Sequence, residues 1–343
     1  MRENGEILFD FYGLVSLSVQ CPPRIAGFLR SEWGAFSAAG PANRADITAR
    51  WASSARGGSG MSPQRLSRRT GGWYKGCFWR AIVSESQSGT TVDYVSMPRS
   101  GFLFKDSCIE PLLLSRLAER GLQSLHASSL LIGKNAWIFC GSPGSGKTVL
   151  GLLGAAAGHT LLSDDISFVR DGRALGYPVP PRISPRENLD HALLRDLLAR
   201  EVPRELVLSH LVSSSTLGNV RIPTRLIRAT GGFGPAQSNV GYPIGGFLFM
   251  KTGRGPPVIE PLLDREYAIQ EGIKSWPLHG GSILSNPHSI GNGGSSRREA
   301  LTAEIGVAAD SQRCFGLRVP AKASAEDWRT AFRKVEAVAQ EID

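Results

Sequence analysis

The stretch "FCGSPGSGKTVL", Phe139–Leu150, decides how this chain is read. Apolar residues lead in and lead out, and between them glycine, serine and proline crowd around one lysine. Gly141, Gly146, Lys147 and Thr148 fit the spacing G-x-x-x-x-G-K-[ST]. Glycines let backbone N–H groups converge on phosphate oxygens without a side chain in the way, and a helix that starts there presents its positive end to the same anion. Gly141, Ser142, Pro143, Gly144, Ser145, Gly146, Lys147 and Thr148 are therefore expected to cradle a nucleotide. Lys147 would neutralise the β- and γ-phosphates of ATP, and the Thr148 hydroxyl would meet Mg²⁺.

Outward from the loop, "LQSLHASSLLI" reads as a strand, "GKN" as a turn, "AWIFC" as a second strand, and the segment after the loop as a helix stopped by Gly158. "HTLLSDDISFV" then reads as one more strand, running parallel to "AWIFC". Strand, loop, helix, strand is a βαβ unit and implies a parallel sheet whose carboxyl ends share an edge, where ligands bind. Two site residues follow. With Gly133-Lys134-Asn135 as the turn, Ile132 faces Ala136 and His126 falls opposite Ser142, beside the loop. Asp164 and Asp165 leave their strand at the same edge, where one carboxylate can hold Mg²⁺ and the other can take a proton from an attacking hydroxyl.

The histidine lies 21 residues before Lys147 and the first aspartate 17 after it. At this spacing "LHASSLLIGKNAWIFCGSPGSGKTVLGLLGAAAGHTLLSDDISFV" resembles the central segment of HPr kinase/phosphorylase and its relatives, over roughly residues 122–185. The resemblance implies an α/β fold with a P-loop kinase domain of the HPr kinase/phosphoenolpyruvate carboxykinase type. It also implies transfer of phosphate from ATP to a serine hydroxyl of a protein or peptide. Under it Asp164 acts as base, Asp165 contributes to the metal site with Thr148, His126 contacts the reacting phosphate, and Lys147 completes the catalytic set. The chain departs from the bifunctional enzymes in lacking their downstream Glu-x-Arg-Gly run, having "VRDGRALGYPVPPRIS" after the aspartates. It looks more like the divergent relatives, some of which accompany lasso-peptide biosynthesis and phosphorylate a serine at a precursor's C-terminus. Two further readings stay open on the residues: a P-loop kinase of a small molecule, and a non-kinase nucleotide-binding module.

The rest of the chain sets bounds. Its 343 residues allow one large domain or two ordinary ones. The division expected is a mostly β N-terminal region over 1–118 and the P-loop domain over 119–343. Net charge is +9, which suggests an anionic partner. Arg44 to Gly72 is arginine-, glycine- and serine-rich, and the span 40–72 reads as a mobile basic loop. Almost no aromatic residues interleave those arginines, which argues against nucleic acid as the partner. Arg65–Arg69, Arg182 and Arg297-Arg298 are candidates to hold the carboxylate of a peptide acceptor. Five scattered cysteines without a C-x-x-C read as free thiols in the cytoplasm. No apolar run has transmembrane length, and the acidic start "MRENGE" argues against a signal peptide. Homo-oligomerisation is left open.

Overall fold

The computed structural model describes residues 5–39, 45–53, 68–74, 77–86, 89–96, 104–179, 181–183, 220–221, 240–274 and 293–342. It is a mixed α/β protein with mixed sheets, and it divides into two units: Met1–Gly121 with Leu278–Ser295, and Leu122–Pro277 with Ser296–Asp343. Among the described residues no helix is long and apolar enough to cross a membrane.

In the first unit, apolar residues at every second position of "GEILFDF" and "VSLSVQC" form the hairpin β1 (Gly5–Phe11) and β2 (Val15–Cys21). With β3 (Ile47–Ser53), β4 (Arg68–Tyr74), β5 (Cys77–Ser86) and β6 (Gly89–Ser96) they make one sheet of order β1-β2-β3-β6-β5-β4. The pairs β2–β3 and β3–β6 are parallel and the others antiparallel. Helix α1 (Pro23–Trp33) buries Ile25, Ala26, Leu29 and Trp33. The Trp33 ring meets Phe9 and Phe11 edge-on, each at 5.6 Å between centroids. Ahead of α2 (Glu110–Glu119), one π-helical turn places Lys105 in the interior at 1 % exposure. There it is bonded by Glu110 at 2.7 Å, flanked by Glu32 at 3.5 Å, and lies over the Trp33 ring. A buried ammonium needs such partners, because leaving it unpaired costs several kcal/mol.

The basic span 40–72 is not one loop. Ile47–Ser53 and Arg68–Tyr74 are strands within it, and residues 54–67 lie outside the described residues. The run "ITARWA" alternates buried Ile47, Ala49 and Trp51 with Thr48 and Arg50, so its charge belongs to the solvent face of a strand.

The second unit is built on β7 (Gln123–Leu125), β8 (Ala127–Ile132), β9 (Asn135–Gly141), α3 (Lys147–Ala156), β10 (Thr160–Ser163), β11 (Ser167–Arg170) and β12 (Arg173–Leu175). A short pair, β13 (Arg182–Ile183) and β14 (Val220–Arg221), stands apart from the main sheet. Then come β15 (Tyr242–Gly253), β16 (Val258–Pro261), α4 (Arg265–Lys274), α5 (Gly293–Asp310), β17 (Cys314–Pro320) and α6 (Ala325–Ile342). The sheet runs β10-β8-β9-β15-β17-β16, with β12, β11 and β7 continuing from β15. Strands β9, β15 and β17 are mutually parallel, and β10 runs the same way with antiparallel β8 between it and β9. One face packs Val149, Leu150 and Leu153 of α3 and Ala331, Phe332, Val335 and Ala339 of α6 against Trp137, Phe139, Leu248 and Leu317. The other packs Ala268, Ile269, Leu301 and Ile305 against Ile138, Cys140, Phe247 and Phe249. Each large side chain so buried stabilises the fold by about 1.5–3 kcal/mol before conformational entropy is counted.

Three local expectations are corrected. The turn between β8 and β9 has two residues: Ile132 faces Asn135, and Ala127 faces Cys140, one position off the register expected. Gly133 at φ +61° heads this short turn, as a two-residue hairpin prefers. His126 is therefore not paired with Ser142. The segment "HTLLSDDISFV" is two strands, broken at Asp164–Ile166, where Asp165 takes a left-handed backbone at φ +69°. Glycine and serine favour turns, so "GGSSRR" reads as loop, yet it opens α5, whose Leu301, Ile305 and Ala308 reach the core.

Among the described residues Cys21, Cys108, Cys140 and Cys314 form no disulfide, and all four are fully buried. Burial pushes the Cys21 thiol up to about 11, against a smaller pull down from Arg30. Burial also pushes Cys314 up to about 12 and raises Cys108 as well. Thiolate is the reactive form, so iodoacetamide at pH 7 should leave these three unmodified in the native chain and label them only after denaturation. Rapid native labelling of any of them, followed by peptide mass mapping, would contradict the packing described.

Candidate active site at the phosphate loop

The loop joins β9 to α3 in backbone conformations that its glycines permit. Gly144 sits at φ +79° and Gly146 at φ +95°. A Cβ on Gly141 would lie 2.6 Å from Ser145 Oγ and 2.9 Å from the Met250 carbonyl oxygen, so no side chain fits there. The turn closes through Ser145 N–H to Ser142 O at 3.1 Å, and α3 begins with Leu150 N–H to Gly146 O at 3.0 Å. Ser142, Pro143 and Gly144 are exposed, while Ser145, Gly146 and Lys147 are buried. Lys147 Nζ donates to the carbonyl oxygens of Gly141, at 2.9 Å, and Ser142, at 3.2 Å, so the ammonium crosses the loop it belongs to. The buried hydroxyl of Ser145 has no hydrogen-bond partner among the described residues. A loop rich in backbone donors, with a buried ammonium and such a hydroxyl, fits a polyphosphate.

The aspartates arrive from a break in a long antiparallel pairing. β10 pairs with β8 through Ser163 and Ser129, and β11 pairs with β7 through Ser167 and Leu125. His126 occupies the bend between β7 and β8, and Asp164–Ile166 the bend between β10 and β11. The two bends face each other, which is why the histidine and the second aspartate meet. His126 Nδ1 lies 3.0 Å from Asp165 Oδ1 and 3.0 Å from the Asp165 carbonyl oxygen. Both partners only accept, so Nδ1 carries the proton.

Buried serines hold the bends in place. Ser129 and Ser163 hydroxyls are 2.6 Å apart and Ser163 and Ser167 3.0 Å, while Ser167 Oγ lies 3.1 Å from both Ser129 Oγ and the Ala127 carbonyl oxygen, which accepts its proton. Ser128 donates to the Ser163 carbonyl at 3.2 Å. All four are fully buried.

Asp164 is 2 % exposed, and its Oδ2 accepts from the Thr148 hydroxyl at 3.2 Å. The Asp165 side chain is 39 % exposed and that of His126 28 %. The site thus contains two pairs: Thr148 with Asp164, and His126 with Asp165. The resemblance implies a different partition, with Thr148 and Asp165 at the metal. Hydroxyl and carboxylate oxygens suit Mg²⁺, which needs few protein ligands when phosphate oxygens complete its shell. Among the described residues no cluster of three or more His, Cys, Asp or Glu could hold a metal by itself.

Of the arginines proposed for an acceptor carboxylate, Arg65 lies outside the described residues. Arg68 and Arg69 are in β4, Arg182 is in β13, and Arg297 and Arg298 are in the first turns of α5. One contact had no sequence signal: Trp328, one turn into α6, packs its ring against Gly146. The chain matches no protein-family model and no curated protein.

Proposed function

We propose that this chain is an ATP- and Mg²⁺-dependent kinase that transfers the γ-phosphate to a serine hydroxyl of a protein or peptide. With that goes the finer fold assignment, a P-loop domain of the HPr kinase/phosphoenolpyruvate carboxykinase type, and a place in the cytoplasm. The observation that carries the reading is the meeting of two carboxylate pairs, Thr148–Asp164 and His126–Asp165, beside one phosphate-type loop.

Backbone N–H groups of the loop bind and orient the polyphosphate, and Lys147 offsets its charge. Thr148 and Asp164 would hold Mg²⁺, which would supply positive charge against the polyphosphate. Asp165 is the more exposed carboxylate, so it takes the acceptor proton, and His126 fixes its orientation through Nδ1–H. The serine O–H bond breaks as its oxygen forms a bond to the γ-phosphorus. The proton passes to Asp165, and the bond from the γ-phosphorus to the bridging oxygen breaks with its electron pair leaving on ADP. This assignment exchanges the roles of Asp164 and Asp165 relative to the resemblance.

The acceptor proposed is a short peptide with a serine at or near a free C-terminus. Incubation with labelled ATP and Mg²⁺ should phosphorylate the free-acid form several-fold faster than its C-terminal amide, and added salt should narrow the gap. Equal rates for acid and amide would show that the terminus is not recognised.

A further inference from the structure

The partner of Gly146 is the unexpected feature of the loop. A Cβ built there would fall inside the indole of Trp328 at Cη2, and within 2.7 Å of both Cζ2 and Cζ3. Only glycine lets loop and ring meet at this distance. The ring comes from far along the chain, yet the topology makes the meeting direct. β9 and β17 both run parallel to β15, so α3, after β9, and α6, after β17, start at the same sheet edge and pack on the same face. The start of α6 is fixed by a reciprocal cap. The Ser324 hydroxyl donates to Asp327 Oδ2 at 2.7 Å, and the N–H groups of Ser324 and Asp327 bond the other's side chain at 2.8 and 3.2 Å. Trp328 follows at once, its N–H on the Ser324 carbonyl at 3.1 Å. It is only partly buried, packed against the core cluster below. A large aromatic ring partly exposed to solvent beside such a loop is a surface for an aromatic base.

We propose that Trp328 is the base-recognition residue of this site: the purine of the bound nucleotide stacks on its indole while the phosphates occupy the loop. The proposal rests on the reading of the loop as a nucleotide site and adds the nucleotide's other end. Stacking on an aromatic ring tolerates different bases but requires one, so the residue sets a preference for nucleotides over bare polyphosphate.

The test is a comparison of ATP with inorganic tripolyphosphate, both with Mg²⁺, by titration calorimetry on the wild-type chain, Trp328→Leu and Trp328→Phe. Leucine keeps apolar packing at the core and removes the stacking face, and far-ultraviolet circular dichroism checks the fold. The expected result is about a tenfold loss of ATP affinity in Trp328→Leu. Tripolyphosphate affinity stays unchanged in that variant, and Trp328→Phe recovers most of the ATP affinity. Equal loss of both ligands in Trp328→Leu means the ring only props the loop, and that overturns this proposal alone. Unchanged ATP affinity overturns it too. A folded wild-type chain that binds neither ligand overturns the nucleotide reading, and this proposal with it.

Discussion

Lys147→Ala should abolish phosphoryl transfer and weaken ATP binding at least about tenfold, because the β- and γ-phosphates would lose the charge of the Lys147 ammonium. The fold survives. Lys147 contributes hydrogen bonds to two carbonyls of its own loop, at Gly141 and Ser142, and the sheet and helix ladders on either side do not depend on it. Thermal melting should shift by a few degrees at most while turnover disappears. A variant with near wild-type turnover would end the phosphate-loop assignment, and one that fails to fold would show that the lysine holds the loop rather than the ligand.

The second large effect separates the two aspartates. Asp165→Asn keeps shape and tolerates the left-handed backbone at φ +69°, since asparagine visits that region readily. An amide could not take the serine proton in the role proposed for Asp165, so kcat should fall by about 10²-fold or more with ATP affinity little changed. Asp164→Asn keeps a side-chain oxygen for the Thr148 hydroxyl but loses the negative charge offered to the metal. Its activity should be recovered in part by raised Mg²⁺, whereas that of Asp165→Asn should not. The reverse pattern would restore the roles that the resemblance implies, with Asp164 as base. Identical profiles would remove any division of labour.

What could be read from the sequence is whatever is local. The loop between β9 and α3 stands out because its glycines sit at the fixed offsets that a phosphate-binding backbone would need. The hairpin before it and the helix after it follow from short-range pattern. The meeting of His126 with Asp165 was not legible in the same way. A turn shorter by one residue moves the register, and the histidine reaches the site through the paired bends instead of across the hairpin. Nor does sequence spacing say that Thr148 lies on Asp164 and not on its neighbour. That follows from the strand breaking between Ser163 and Ser167, which buries one carboxylate and exposes the next. β3 reads as loop because arginine and glycine surround it, although its own alternation is that of a half-buried strand. The start of α5 also reads as loop, because it opens on Gly-Gly-Ser-Ser, residues that favour turns. Trp328 gave no signal, because its contact with Gly146 depends on the parallel order of three strands.

The proposed transfer of phosphate from ATP to serine at this loop is read out by intact-mass analysis of serine-containing peptides after incubation with the chain, ATP and Mg²⁺. The set should include free-acid C-terminal serine, its amide and an internal serine. The free-acid peptide should gain one phosphoryl group, mapped to the serine, and none with Lys147→Ala or Asp165→Asn. No mass change in any peptide, with ATP bound and recovered intact, would contradict it and leave a nucleotide-binding module in place of a kinase.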